Sequence, residues 1–174
     1  RQMCIRDSNQ ALWEGTWGVT LAQVQEDFAR VVNAIARFEP VKLVVDPAGR
    51  ASAADLCGAN VELIELPVND SWCRDSGPTF ISHPQRGLAG VSWRFNAWGG
   101  KSAHELDESL GRRVLNGLGL ACFGTPLANE GGAIHVDGEG TLITTESVLL
   151  NPNRNPGLSK AEMEEIFARL LGIR

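Results

Sequence analysis

RDSGPTFI (74–81) and NEGGAIHV (129–136) lie 55 residues apart and read alike: an acid, one residue, a glycine, then a run entering a strand. Asp75 and Glu130 hold matching places, and the helical patterns that follow end at Gly117 and Gly172, again 55 apart. Two units of strand, strand, helix and strand at one period predict a pseudo-symmetric α/β array of ββαβ units rather than a single open sheet. In such an array equivalent acids point toward a shared axis. Two carboxylates in a partly dry pocket repel each other unless something positive lies between them. A planar guanidinium suits that place, since its five donors pair with carboxylates in forked fashion. Trp72, three residues before Asp75, offers an indole face worth about 1–2 kcal/mol of cation–π attraction when desolvated. The alternative stays open at this point: Asp ahead of Gly-Pro commonly organises an Asx turn and nothing more.

Working outward, Val24, Phe28, Val31, Ile35 and Phe38 recur at spacings of three and four and predict one apolar helix face, with Pro40 just past its end. KLVVD (42–46) and VELIEL (61–66) read as strands around a short helix, ASAADLC (51–57). After the Asp75 turn come TFIS, a hairpin loop HPQRG, and a longer strand at 88–96. HELDESLGRRVLNGLG suits a helix with Leu106, Leu110, Val114 and Leu118 inward, followed by a strand at ACFG. EGGAIHV, GTLITT and SVLLN read as three extended pieces around a DGEG turn. The last helix is expected to start at Ser159, with Glu162 three residues on as a capping box. RQMCIRDS (1–8) has no periodicity and no cap; it reads as a translated adapter or cloning scar and is set outside the domain, which then covers 9–174.

A net charge of −5 with no basic cluster argues against a nucleic-acid surface. No apolar run approaches the ~18 residues of a membrane span and no secretory signal is visible, which together suggest a cytoplasmic protein. Cys4, Cys57, Cys73 and Cys122 are scattered without a CxxC pair and read as reduced thiols. Cys73 stands beside Asp75, whose charge would raise a thiol pKa, so it makes a poor nucleophile. His83, His104 and His135 match no zinc spacing. Trp93 alternates within a strand and reads as core, whereas Trp98, in the glycine-rich FNAWGGK, suits a core or a pocket wall equally. Asn153 and Arg154 of NPNRNP (151–156) are placed to hold neighbouring loops together.

FEPV, P-x-NDSW-x-RD-x-GP-x-F, FNAWGGK, NEGG-x-IHVDGEGT and LLNPNRNP-x-LSK, in this order over residues 9–174, resemble the agmatine deiminases and their bacterial peptidylarginine deiminase-like relatives. The resemblance implies the pentein fold of guanidino-group-modifying enzymes, a five-fold α/β propeller of ββαβ units. It implies hydrolysis of agmatine to N-carbamoylputrescine and ammonia, serving putrescine and polyamine biosynthesis, without metal or organic cofactor. A cysteine thiolate would attack the guanidinium carbon while a histidine moves protons. By motif, Asp75 and Glu130 match acids that clamp the guanidinium, Trp72 the tryptophan bordering it, and Trp98 is a further candidate wall. The nucleophilic cysteine and the Gly-His-x-Asp motif are not in these 174 residues. Val136 stands where a later copy of the same segment carries the cysteine. The expectation is therefore the first two to three repeats of a deiminase, about half of the enzyme, inactive alone. Its partner would be a small cationic guanidine, with homo-oligomerisation of the full-length enzyme left open. Peptidyl-arginine or another guanidine as substrate, and a non-catalytic cation-binding module, are the alternatives.

Overall fold

The computed structural model describes the backbone of residues 2–5 and the whole of residues 18–174. The chain divides into two compact units, Arg1–Cys73 and Arg74–Arg174, each described by itself.

In the first unit three parallel strands form a sheet in the order β1 (Gln2–Ile5), β2 (Val41–Val45), β3 (Val61–Glu65). The central β2 buries Val41, Leu43, Val44 and Val45. Burial on both faces explains why Leu43–Val45 reads as a continuous apolar run, with the half-buried Lys42 paired to Glu62 of β3. Setting residues 1–8 outside the fold is corrected in part, because Gln2–Ile5 pairs in register with Lys42–Val45.

Helix α1 (Leu21–Ala36) starts from Thr20, whose hydroxyl accepts from the Gln23 amide while the Gln23 side chain accepts from the Thr20 amide. Its packing face is not quite the predicted one. Val32 and Ala36 are buried against Val41, Leu43, Val45 and Ala53, with Phe28 and Ile35 partly buried beside them, and Ala29 is buried as well. Val31 is 50% exposed and Phe38 87% exposed. Residues 29, 32 and 36 follow one helical stripe, and Val31, one position from Val32, is turned about 100° away from it. Phe38 lies beyond the helix end, where the 3.6-residue period no longer governs direction. The short helix α2 (Arg50–Leu56) follows Asp46, whose carboxylate caps the Pro47–Gly49 turn.

In the second unit, β4 (Thr79–His83) and β5 (Gly87–Arg94) form an antiparallel hairpin, with Gly87 at φ 76° closing its turn. Helix α3 (Leu110–Gly117) then crosses over to β6 (Ala121–Ala128), which runs parallel to β5. That is the expected ββαβ order. The helix is shorter than predicted: Leu106 precedes it in a run of turns and is exposed, while Leu110, Val114 and Leu115 are buried and Leu118 is half-buried. Gly90 of β5 faces Leu115, and a Cβ there would collide with that side chain, so α3 sits directly on the strand.

A second antiparallel pair, β7 (His135–Val136) with β8 (Leu142–Ile143), is followed by α4 (Lys160–Leu171). Between them SVLL is not extended as expected. Glu146–Leu149 is a helical turn, which buries Leu149 in the core with Val91, Trp93, Leu127, Met163 and Phe167. Trp93 packs edge-on against Phe167 at 5.7 Å and donates its indole N–H to Thr79 at 2.8 Å, confirming its core role.

The start of α4 is as predicted: Ser159 and Glu162 form a capping box, and Gly172 ends the helix in the left-handed conformation. The Ser159 amide, then its hydroxyl, hold the Glu162 carboxyl below its ordinary value. A lowered folded-state pKa means the stabilisation is present above the unfolded value of about 4.3 and is lost as pH falls through the folded one. The protection factors of the amides in the first turn of α4, rates being corrected for the intrinsic pH dependence of exchange, should therefore fall on acidification below about pH 4, and Glu162→Gln should flatten that dependence.

The corrected face of α1 has its own test. Val32→Ala should cost about 1.5–3 kcal/mol in urea denaturation, whereas Val31→Ala should stay within about 0.5 kcal/mol of the parent.

Candidate functional site

Asp75 sits in a helical turn, Cys73–Ser76, just ahead of β4. Its two oxygens are engaged separately. Oδ1 accepts from the Gly132 amide at 3.1 Å, and Oδ2 accepts from the Trp98 indole N–H at 3.3 Å. Both donors are neutral, and among the described residues Asp75 has no ion-pair partner. An ionised carboxylate accepts about four hydrogen bonds, so two such contacts orient it without saturating it. The carboxylate is half-buried and carries an uncompensated charge, the arrangement a cationic ligand complements.

Trp98 reaches it from a strained loop. Ala97 and Trp98 adopt φ of 49° and 56°, a left-handed backbone that side-chain-bearing residues rarely hold. Each such residue costs on the order of 1–3 kcal/mol, which the surroundings must over-determine. Several contacts do so. Asn96 accepts from the Gly99 amide and donates to the Asn153 carbonyl. Phe95, buried, packs edge-on against Trp98 at 5.4 Å and against His104 at 6.3 Å. Gly99 itself, at φ 93°, lies so close to the Asn153 amide and Arg154 Nη1 that a Cβ would collide with both. Trp98 is half-buried, with its ring edge-on to Phe95 and its N–H on Asp75.

Glu130 has a different environment from its sequence counterpart. It is 4% exposed, extended at φ −95°, and immediately precedes the Gly131–Ala133 turn. Arg154 Nε donates to Glu130 Oε1 at 2.8 Å, with both side chains buried. Arg154 Nη1 donates to Asn153 Oδ1 at 2.9 Å, and the Arg154 carbonyl accepts from Arg94 Nη2 at 2.8 Å. Residue 155 completes the anchor: the Asn155 amide accepts from the Ala128 N–H and donates to the Ala128 and Leu149 carbonyls. NPNRNP thus ties together the end of β6, the Glu130 turn and the Trp98 loop.

The two segments that opened the reading are brought together by glycine. A Cβ on Gly131 would collide with the Arg74 carbonyl, and one on Gly132 with Asp75 Oδ1. Sequence reasoning matched these glycines as strand entrances and missed that they are contact surfaces. It also missed Arg154 as the partner of Glu130. The signal available was a lone arginine among asparagines and prolines, a pattern that reads as polar loop. Asn129, 1% exposed with neither amide atom hydrogen-bonded, was not anticipated either.

Trp72 belongs to the first unit, and its indole is 52% exposed. Val136 is exposed on β7, and His83 and His135 are exposed at strand ends. Cys57, Cys73 and Cys122 are half-buried, and burial pushes the Cys57 thiol up. Cys4 lies in a segment described by backbone alone. Among the described residues no helix is long and apolar enough to cross a membrane.

A family profile described as Porphyromonas-type peptidyl-arginine deiminase matches residues 8–174. The chain belongs to this family. A Legionella pneumophila protein named "Putative agmatine deiminase" is 48% identical over 160 residues, which cover 90% of this chain and 46% of that protein. A Streptomyces coelicolor protein of the same name is 45% identical over 153 residues, 86% of this chain and 45% of the relative. The chain therefore spans about half the length of the curated relatives it matches. In structure it superposes on the agmatine deiminase of Enterococcus faecalis with a TM-score of 0.88 at 30% identity, covering 100% of this chain and 48% of that one. An arginine deiminase-type structure from Porphyromonas gingivalis gives a TM-score of 0.83 at 32% identity, covering 99% and 51%. The α/β fold of the second unit, with its ββαβ order, is that of these deiminases.

The glycine contacts predict a split between stability and site geometry. Gly131→Ala should destabilise folding by about 1–3 kcal/mol, because a backbone carbonyl cannot step aside. Gly132→Ala should cost less in the same urea titration, since the Asp75 side chain can swing away, and should instead disturb the site.

Proposed function

We propose that this chain is the guanidinium-gripping part of an agmatine deiminase, and that Asp75 is its principal substrate-binding acid. The single observation carrying this is the Asp75 carboxylate: half-buried, oriented by the Trp98 indole and the Gly132 amide, and without an ion-pair partner among the described residues. A guanidinium is the counter-charge that fits. Its paired N–H groups would meet the oxygens' remaining lone pairs, with the Trp98 ring at the edge of the ligand. The likeness to proteins named agmatine deiminase supports the same reading.

In the reaction, a cysteine thiolate outside these residues adds to the guanidinium carbon. The C–N bond to one terminal nitrogen then breaks, and that nitrogen leaves as ammonia after gaining a proton. Water attacks the resulting thiouronium carbon, the C–S bond breaks, and the ureido product N-carbamoylputrescine is released with the thiolate restored. Asp75 contributes by fixing the plane of the guanidinium against that attack and by stabilising its charge. Glu130, already bonded to Arg154 through one oxygen, serves as the second and more deeply placed acid. Trp72 enters through its motif alone, as the expected bordering tryptophan. The propeller architecture is likewise our reading. The order β4–β5–α3–β6 followed by β7–β8–α4 supports it, with a further strand parallel to β8 expected in the longer protein. An open groove of about 740 Å³ beside β8 and α4 is lined by Leu142, Ile143, Lys160 and Glu164 among others.

Peptidyl-arginine is the second substrate reading, favoured by the description of the matching family. Initial rates on agmatine and on a blocked arginine amide, measured with the full-length protein, separate the two.

The isolated 174-residue chain should release no ammonia from agmatine above the buffer rate. In the full-length enzyme, Asp75→Asn should lower kcat/KM by about 10- to 100-fold or more, the worth of a charge-assisted hydrogen bond. Asp70→Asn should have little effect, because Asp70 caps the Ser71 amide beside it. Comparable losses from the two would show that Asp75 is not the gripping acid.

A further inference from the structure

Glu130 and Gly99 of the Trp98 loop stand on different segments, and one side chain lies against both. Arg154 bonds the Glu130 carboxylate through Nε and, with Asn153, fills the space against which Gly99 is pressed. A residue with a side chain at position 99 would collide there, so the path of the Ala97–Gly100 loop depends on where Arg154 lies. That loop in turn carries the indole that holds Asp75 Oδ2.

Charge points the same way. Two carboxylates near one cationic ligand leave the site with an excess negative charge, and a deeply buried Glu130 without a partner would be strongly destabilising. An internal guanidinium removes that excess. It neutralises Glu130 through Oε1 and leaves Asp75 as the acid of the pair without an ion-pair partner among the described residues.

We propose that Arg154 is a positioning residue for guanidine binding, an internal guanidinium that fixes Glu130 and the Trp98 loop in one arrangement. This rests on the reading of the site as a guanidine-binding pocket. The guanidinium geometry matters and the charge alone does not suffice. A lysine ammonium is a single point donor, whereas Arg154 supplies Nε to Glu130 and Nη1 to Asn153 in fixed directions about one plane.

The test uses the full-length protein with Arg154→Lys, Arg154→Met, Gly99→Ala and a core control, Val91→Ala, each followed by thermal unfolding, by agmatine kinetics and by crystal structure. Arg154→Lys should remain folded at the assay temperature and raise KM about 10-fold or more, the loss expected for a directed hydrogen bond to a charged group. Gly99→Ala, which retains Arg154 but displaces its guanidinium, should show the same KM rise. Val91→Ala should lower the melting temperature without changing KM. An Arg154→Lys enzyme with parental KM would overturn the proposal, as would variants whose only change is a lower melting temperature. Should the parent fail to act on agmatine or any other guanidine, the functional reading fails. The positioning role is then decided by the crystal structures. Arg154→Met must displace the Glu130 carboxylate and the Trp98 indole; if both stay in place, the proposal is wrong.

Discussion

Much in the second unit depends on how closely the Gly131–Gly132 backbone approaches Arg74 and Asp75. Glycine is needed on one side because the other side is a carbonyl and a carboxylate oxygen, and no Cβ fits between them. The approach places the Gly132 N–H on Asp75 and puts Glu130, one residue upstream of the pair, at the end of β6. The acid proposed to bind substrate is thus located by backbone packing, which is more rigid than any side-chain rotamer. The Trp98 loop then closes on the other oxygen of the same carboxylate, held in a costly conformation by Asn96, Phe95 and Asn153.

Buried charge is handled economically. The Glu130–Arg154 pair is withdrawn from water on both sides. A pair of this kind seldom adds net stability over an apolar substitute, though breaking it from one side is costly. Its value therefore lies in specificity of arrangement. The neighbouring Asn155 performs a related task for neutral groups. Its side-chain amide pairs with both the N–H and the C=O of Ala128, as a neighbouring strand would, and so satisfies the end of β6 where the sheet runs out.

The sequence was most informative where spacing and local chemistry agreed. The hairpin around HPQRG, the crossover helix, the Ser159–Glu162 cap and the match of RDSGP with NEGG could all be read directly. What escaped it depended on close approach. The inward face of α1 runs through Ala29, Val32 and Ala36 instead of Val31, because alanines carry little weight in a hydrophobic pattern and the larger valine drew the stripe one position off. SVLL looked like a strand by composition, but a four-residue helical turn buries Leu149 better. The matched acids differ locally as well, since Asp75 is in a helical turn and Glu130 is extended. A repeat in sequence therefore preserved position in the unit without preserving backbone conformation. Arg154 was legible as a loop anchor; its ionic partner was 24 residues away in sequence and needed the fold to reveal it.

The Trp98–Asp75 hydrogen bond has an optical consequence. Indole emission responds to the field along the ring, and here the ring's N–H points at a carboxylate whose charge a bound cation would screen. Trp93, by contrast, is sealed in the core with its N–H on a neutral hydroxyl. Trp98 is thus wired to the group proposed to meet the ligand. On that reading, the contact that aims the acid would also report its occupancy by fluorescence.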